Sequence, residues 1–319
     1  MRPKQLKLAF TVAGTVIGAG FATGKELLLF FGNTPQSILH LVLCVLMMSA
    51  VSVLYFSQTH SDTQGKGIFS VINLIFLLFS GASYTVMLAC GGEALFQSTG
   101  IFRPAGTILT YVITLGIVWL GIANVYRFNL IATPILLLCM AGISVAGLVS
   151  PVGLIEISQS ATINLLSYAG YNLLSVLPVL SVLSHTVEKK DGYLGILWGF
   201  ACILIVGILL KLLLLRFHTL SDQSAIPVLN IVSQIHSSFT ILYTVMLYLS
   251  ILTTAVNSLL ATAGNKNPVP ISIFLCCGSF LGFTSLIETI YPFFGYIGIG
   301  VTAILIIKSF YPSSKKGRI

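Results

Sequence analysis

The chain has 319 residues, of which 56% are hydrophobic and only 8% charged, whereas soluble domains carry about 25% charged residues. That balance excludes a soluble enzyme or binding domain and leaves a polytopic membrane protein, built from spans of ~20 residues. The net charge of +8 would suit nucleic acid only if the basic residues formed one patch. They sit mostly in short loops and at the two ends, as topology signals do, so no nucleic-acid partner is expected and the lipid bilayer is.

Arg2, Lys4 and Lys7 precede an apolar run and resemble a signal peptide. The run continues to Phe31, however, with only Gly20-Phe21-Ala22 as a weak cleavage site, so it reads as a first span. This segment, Leu6 to Phe31, carries Gly14, Gly18, Gly20 and Gly24 in its middle. Each glycine costs a helix ~1 kcal/mol, and a backbone break in hydrocarbon is tolerated only where protein or a watery cavity surrounds it. Such a break near the midplane points to a binding site, because the freed amides and carbonyls become ligands.

Further apolar runs predict ten spans, near 6–31, 35–58, 67–97, 105–124, 127–149, 160–184, 192–215, 226–260, 269–288 and 289–310. Breakers such as Gly32-Asn33-Thr34-Pro35 and Ser150-Pro151-Val152-Gly153 mark the loops. Glu288 and Pro292 are the signals for a turn in the nearly continuous run from Val269 to Phe310. With the N-terminus inside, most of the 16 Lys and Arg fall on inner segments, which puts both termini in the cytoplasm. The six cysteines lie in apolar segments without metal-type spacing and read as reduced small hydrophobes.

Span six contains Ser167-Tyr168-Ala169-Gly170-Tyr171-Asn172, a polar and small-residue stretch inside an apolar helix. For span one alone, close helix packing explains the glycines equally well, since Gly14-xxx-Gly18 and Gly20-xxx-Gly24 also satisfy a small-xxx-small pattern. Matching stretches in spans one and six, each opening a half of five spans, instead point to an inverted repeat. The predicted fold is all-α: a single transmembrane domain, 1–319, with repeat one at about 1–155, repeat two at about 156–319, and helices one and six interrupted.

The string Gly14 to Phe31, GTVIGAGFATGKELLLFF, resembles the opening of the bacterial YkvI-type membrane proteins, distant relatives of the amino acid–polyamine–organocation transporters. Ser167 to Asn172 and Leu252-Thr253-Thr254-Ala255 are similar to that family as well. The resemblance implies the leucine-transporter fold, a bacterial cytoplasmic membrane, and alternating access in which spans one, two, six and seven rock against the others. Lys25 departs from the family pattern, which has an uncharged glutamine before the glutamate. No substrate follows from the resemblance.

For the substrate, Gly18, Ala19, Gly20 and Phe21 open the second half of span one, where unpaired N–H groups suit a carboxylate. Tyr168, Gly170, Tyr171 and Asn172 on span six and Tyr84 on span three would enclose the rest of a small ligand. Span eight carries a polar stripe, Ser250, Thr254, Asn257 and Ser258, with Thr253 beside it. In sodium-coupled relatives two span-eight hydroxyls join span-one carbonyls around the ion. By that resemblance the ion ligands are Thr253 and Thr254 with the carbonyls of Gly14, Ile17 and Ser250, and Na+ is the coupling ion. Proton-coupled relatives use a span-five lysine, where this chain has only Arg127 near the start of the span.

Glu26 lies about 12 Å beyond Gly18 along a straight helix, so Lys25 and Glu26 fall at the outer vestibule and read equally as an outer gate or charge filter and as a solvated helix mouth. Glu93, by the same counting, reads as a solvated residue near the outer end of span three. No HExxH or GxSxG-type motif supports catalysis. The sequence thus predicts a secondary transporter, a symporter of an amino acid or related amine. A sensor on the same fold is the main rival, and a channel is disfavoured because it needs a continuous polar path. Oligomeric state has no signal in the sequence.

Overall fold

The structure, a computed structural model, describes residues 2–59, 66–120, 122–150, 164–184, 187–217, 224–264 and 266–310. These residues form helices and connecting turns: α1 Pro3–Val16, α2 Ala19–Thr23, α3 Lys25–Phe31, α4 Gln36–Thr59, α5 Lys66–Thr99, α6 Arg103–Trp119, α7 Ile122–Val149, α8 Leu165–Ser184, α9 Lys189–Arg216, α10 Pro227–Ile235, α11 Ser237–Ala263, α12 Pro268–Ser279 and α13 Phe283–Phe310. Among the described residues, seven helical stretches are long and apolar enough to cross a membrane. Large side chains such as Leu74, Leu138, Val182, Ile241 and Phe274 lie exposed on their outer faces. A soluble protein would expose no such continuous apolar surface; here it is the face for lipid.

The first span is broken, as its glycines predict. The α1 ladder closes with the Ile17 N–H on the Ala13 carbonyl (2.7 Å), and the next backbone bond runs from Ala22 to Gly18 (2.9 Å). Ile17 and Gly18 carry non-helical dihedrals between the two helices. A second interruption follows at Gly24, whose φ of 79° is costly for any residue with a Cβ. Gly24 caps α2 and starts α3, so the segment after Gly18 is bent rather than straight.

Two predicted boundaries shift. Span eight, expected at 226–260, is two helices, with α10 ending where His236 turns extended and caps α11 through its ring nitrogen. The last two spans divide at Phe280–Gly282, where Gly282 has a φ of 92°. Glu288 and Pro292 are not at a turn; Pro292 lies inside α13.

Span six is corrected as well. α8 runs without interruption from Leu165 to Ser184, through the predicted break at Ser167–Asn172. Residues 151–163 lie outside the described ones. The small residues of this stretch instead form a seam with α13. A Cβ on Gly170 would meet the Gly295 carbonyl, one on Gly295 would meet Ser167, and one on Gly298 would meet the Gly170 carbonyl. Without a hydrophobic force between helices in lipid, such close backbone approach is what holds spans together. Glycines at 195 and 199 do the same for α9 against Leu8, Ala9 and Val12 of α1.

The seam yields a test. Gly298→Val drives a side chain into the Gly170 backbone and should lower stability by about 1–3 kcal/mol, read as a melting point several degrees lower in detergent. Gly300→Val, where a Cβ meets open space, should melt like the parent. Equal melting of both variants would show that α8 and α13 do not touch there.

Candidate functional site

The carbonyl end of α1 meets two hydroxyls. Thr254 of α11 places its Oγ1 2.9 Å from where a Cβ on Gly18 would stand, and Thr133 of α7 lies 2.6 Å from the same point on Gly14. Glycine at both positions lets these side chains reach the broken backbone. Thr253 and Thr254 each donate to the Ser250 carbonyl, at 2.8 and 3.0 Å, which orients both hydroxyl oxygens. Ser250 is buried one turn along, its own hydroxyl without a hydrogen-bond partner among the described residues. Of the predicted ion ligands, the structure therefore gathers Gly14, Thr253 and Thr254 on one cavity wall, with Ile17 buried in the break itself. Thr133 escaped the sequence reading. Its only local signal is its place before Pro134, inside a span.

A cavity of about 390 Å³ opens beside this cluster, between α1, α5, α7, α8 and α11. That is within the range of small-ligand pockets. Thr11, Ser83, Ser175 and Asn257 line it with the threonines, and among the described residues no charged one does. On α8 the lining is Leu174, Ser175, Pro178 and Val179. Pro178 has no N–H, so the Leu174 carbonyl loses its helical partner at the cavity wall. Span six does release a backbone group, about one turn past the stretch that the sequence singled out.

The predicted substrate residues lie elsewhere, and none of them lines this cavity. Gly18, Ala19, Gly20 and Phe21 are at the break but buried in protein, and Phe21 packs towards Gly207 of α9. The Tyr84 hydroxyl is engaged by Thr114 of α6 at 3.1 Å. Asn172 donates back to the Tyr168 carbonyl at 3.0 Å. Tyr168 packs edge-on against Phe30 and Phe31, while Tyr171 is stacked between Phe30 and Tyr291 at centroid distances of 5.4 and 4.8 Å. Because α8 stays helical, residues 168–172 build an aromatic roof over the cavity instead of a pocket.

Glu26 is the largest correction. The turn at Gly24 cancels the straight-helix count: Glu26 is 4% exposed, and its carboxyl sits where a Cβ on Gly20 would be. The Tyr171 hydroxyl donates to its other oxygen. The place reserved for a ligand's carboxylate thus holds the chain's own. Lys25, its neighbour, points the other way and pairs with Glu288 of α13 at 3.0 Å, joining α3 to α13. Glu93 is not a solvated residue either; it is buried and holds Arg103 at 2.6 Å.

No family profile matches the chain. It is 24% identical to the membrane protein YkvI of Bacillus subtilis, the alignment covering 95% of each chain. To YyaD of the same organism it is 22% identical over 98% of each. Mhp1 in its inward-facing conformation matches 96% of this chain with a TM-score of 0.68 at 14% identity, over 76% of Mhp1. The chain is a distant homologue of YkvI. Its fold is the leucine-transporter fold of Mhp1, which is itself a nucleobase-cation-symport-1 family transporter.

The Lys25–Glu288 pair is testable by charge exchange. With side chains 15% and 45% exposed, it should contribute no more than about 1 kcal/mol. Lys25→Glu and Glu288→Lys should each lower the melting point, and the double swap should recover most of the loss. No recovery in the double variant would mean the two side chains do not meet.

Proposed function

We propose that the protein is a secondary active transporter of a small organic solute, an amino acid or related amine, driven by sodium through alternating access. The observation that carries this reading is the neutral, hydroxyl-lined cavity at the broken end of α1. A cavity floored by helix carbonyls and walled by threonine oxygens offers hard, uncharged ligands of the kind a sodium ion takes. Thr253, Thr254 and the carbonyls of Gly14, Ile17 and Ser250 are the proposed cage, to which the geometry adds Thr133. The remaining volume is of a size to hold an amino acid.

The sidedness of the parts supports the same reading. With both termini in the cytoplasm of a bacterial cell, the cavity opens between the inner halves of α1, α8 and α11. The aromatic roof and the Lys25–Glu288 pair then close the outer side. Opening to the outside would part α3 from α13 while the inner helices close, in keeping with two five-span halves that rock about the central site. Lys25 belongs to the gate in this scheme. Glu26, one residue on, lies too deep to filter charge at its mouth.

Sodium and ligand should each raise the other's affinity by one common factor. Melting of the purified protein against a panel of amino acids and amines, with sodium or choline at fixed ionic strength, finds the ligand by mass action. Thr254→Val keeps the side-chain shape and removes one oxygen, so it should cut the sodium dependence of ligand affinity at least tenfold and leave sodium-free binding in place. Parent affinity that is flat across the sodium titration would reject the cage.

A further inference from the structure

We infer that Glu26 is a proton-binding site, and that a proton taken up there from the outer side is what permits the outer mouth to close. The starting point is a buried carboxyl without a counter-charge. Glu26 is 4% exposed, and among the described residues the ion pairs join Arg2 to Asp191, Lys25 to Glu288 and Arg103 to Glu93, none of them reaching Glu26. Among the described residues its one hydrogen-bond partner is the hydroxyl of Tyr171. An ionised carboxylate left so in a protein interior costs far more than one hydrogen bond returns, and the group neutralises instead.

The neutralising partner must be small. Gly20 lies against one carboxyl oxygen, and the stacked rings of Phe30, Tyr171 and Tyr291 fill the other side. The cavity below does not extend to Glu26, so an ammonium group has no room there. Nor do the described residues gather a cluster of His, Cys, Asp or Glu there that could hold a metal ion, and the nearby carbonyls are engaged within the chain. Gly18 accepts from Ala22, Phe21 from Gly24, Gly20 from Thr23 and Ala22 from Tyr243. A proton needs no volume and no further ligand.

The groups facing Glu26 from each packed element do not supply the charge either. They are Tyr168 and Tyr171 on α8, Tyr291 on α13 and Cys90 on α5, with Tyr243 of α11 bonded to the adjoining Ala22 carbonyl. The two nearest charged residues along α3 and α13, Lys25 and Glu288, neutralise each other, and the buried Lys211 of α9 donates to the Gly32 carbonyl at the far end of α3.

The link to motion follows from covalent adjacency. Lys25 and Glu26 are consecutive residues just past the Gly24 turn, one holding α13 and the other α8. A swing of α3 about Gly24 that separates Lys25 from Glu288 also lifts Glu26 off Tyr171 and into the opened mouth. There the carboxylic O–H breaks, water takes the proton, and the hydrated carboxylate is stable. Closure requires the reverse step, with water delivering the proton before the carboxyl re-enters the aromatic roof.

The proposal does not rest on the sodium cage, and its test uses neither substrate nor transport. Infrared difference spectra between the parent in lipid nanodiscs and Glu26→Gln should show a carboxylic-acid C=O band, which carboxylates lack, present only in the parent. Tyr171→Phe should shift that band without abolishing it. Hydrogen exchange of α3, corrected for the intrinsic pH effect, should then show opening that rises towards tenfold per pH unit in the parent, the slope for one proton. Glu26→Gln, an uncharged near-isostere, should hold α3 closed at every pH. An identical carboxylic-acid region in parent and Glu26→Gln would overturn the proposal, as would α3 opening in the parent that ignores pH. If Glu26→Gln fails to fold, the Tyr171→Phe shift and the parent's pH slope decide the matter alone.

Discussion

Everything in this structure turns on one requirement: a backbone that leaves helical geometry inside a membrane must find partners for its exposed polar groups. The α1 helix stops at Val16, well short of the length needed to span hydrocarbon at 1.5 Å per residue. The chain therefore has to stage its crossing, and neighbouring helices are arranged to make that tolerable. Thr254 and Thr133 approach the freed end, Tyr243 caps a carbonyl of α2, and Glu26 covers Gly20. The cavity lies beside these groups, with Gly14 and Thr15 of α1 facing Thr133, Thr253 and Thr254 across it.

The same requirement explains which parts of the fold were legible in the sequence. The break of span one could be read because four glycines in eleven residues have no use on a lipid face. Span six could not be resolved the same way. Glycine weakens a helix and also lets two helices touch, and the residues Ser167 to Asn172 fit both uses. Their partner was Gly295-x-x-Gly298, more than a hundred residues away on α13, and local pattern carries no trace of such a contact. Pro178, which does release a carbonyl at the cavity, lay in plain sight but outside the stretch that resembled a known motif.

Distances within the site were less legible than identities. Counting 1.5 Å per residue from Gly18 to Glu26 assumes a straight helix, and the single left-handed residue Gly24 invalidates the count. A glycine in a helix is ambiguous between tolerance and turn until its dihedral is known. The consequence is chemical as well as geometric. Two adjacent charged residues that read together as one gate or one solvated mouth take different partners on α3 once the turn has carried both inward, one joining a partly exposed ion pair and the other becoming a buried acid.

That separation bears on what the ligand would see. The cavity is lined by neutral groups, so a zwitterion there would meet hydroxyls and backbone dipoles rather than fixed charges. The carboxyl that the sequence assigned to a substrate is supplied by Glu26, behind Tyr171 and out of the cavity's reach. A ligand in the cavity can influence Glu26 only by moving the aromatic roof, since Tyr171 stands between them and Leu174, one turn on, lines the wall. In the proposed transport scheme, coupling between the cavity and the Lys25–Glu288 end of the bundle is mechanical, carried by α8, which is continuous from Leu165 to Ser184. An interruption at Ser167–Asn172 would loosen that link, whereas the continuous helix keeps Tyr171 and Leu174 in one rigid element.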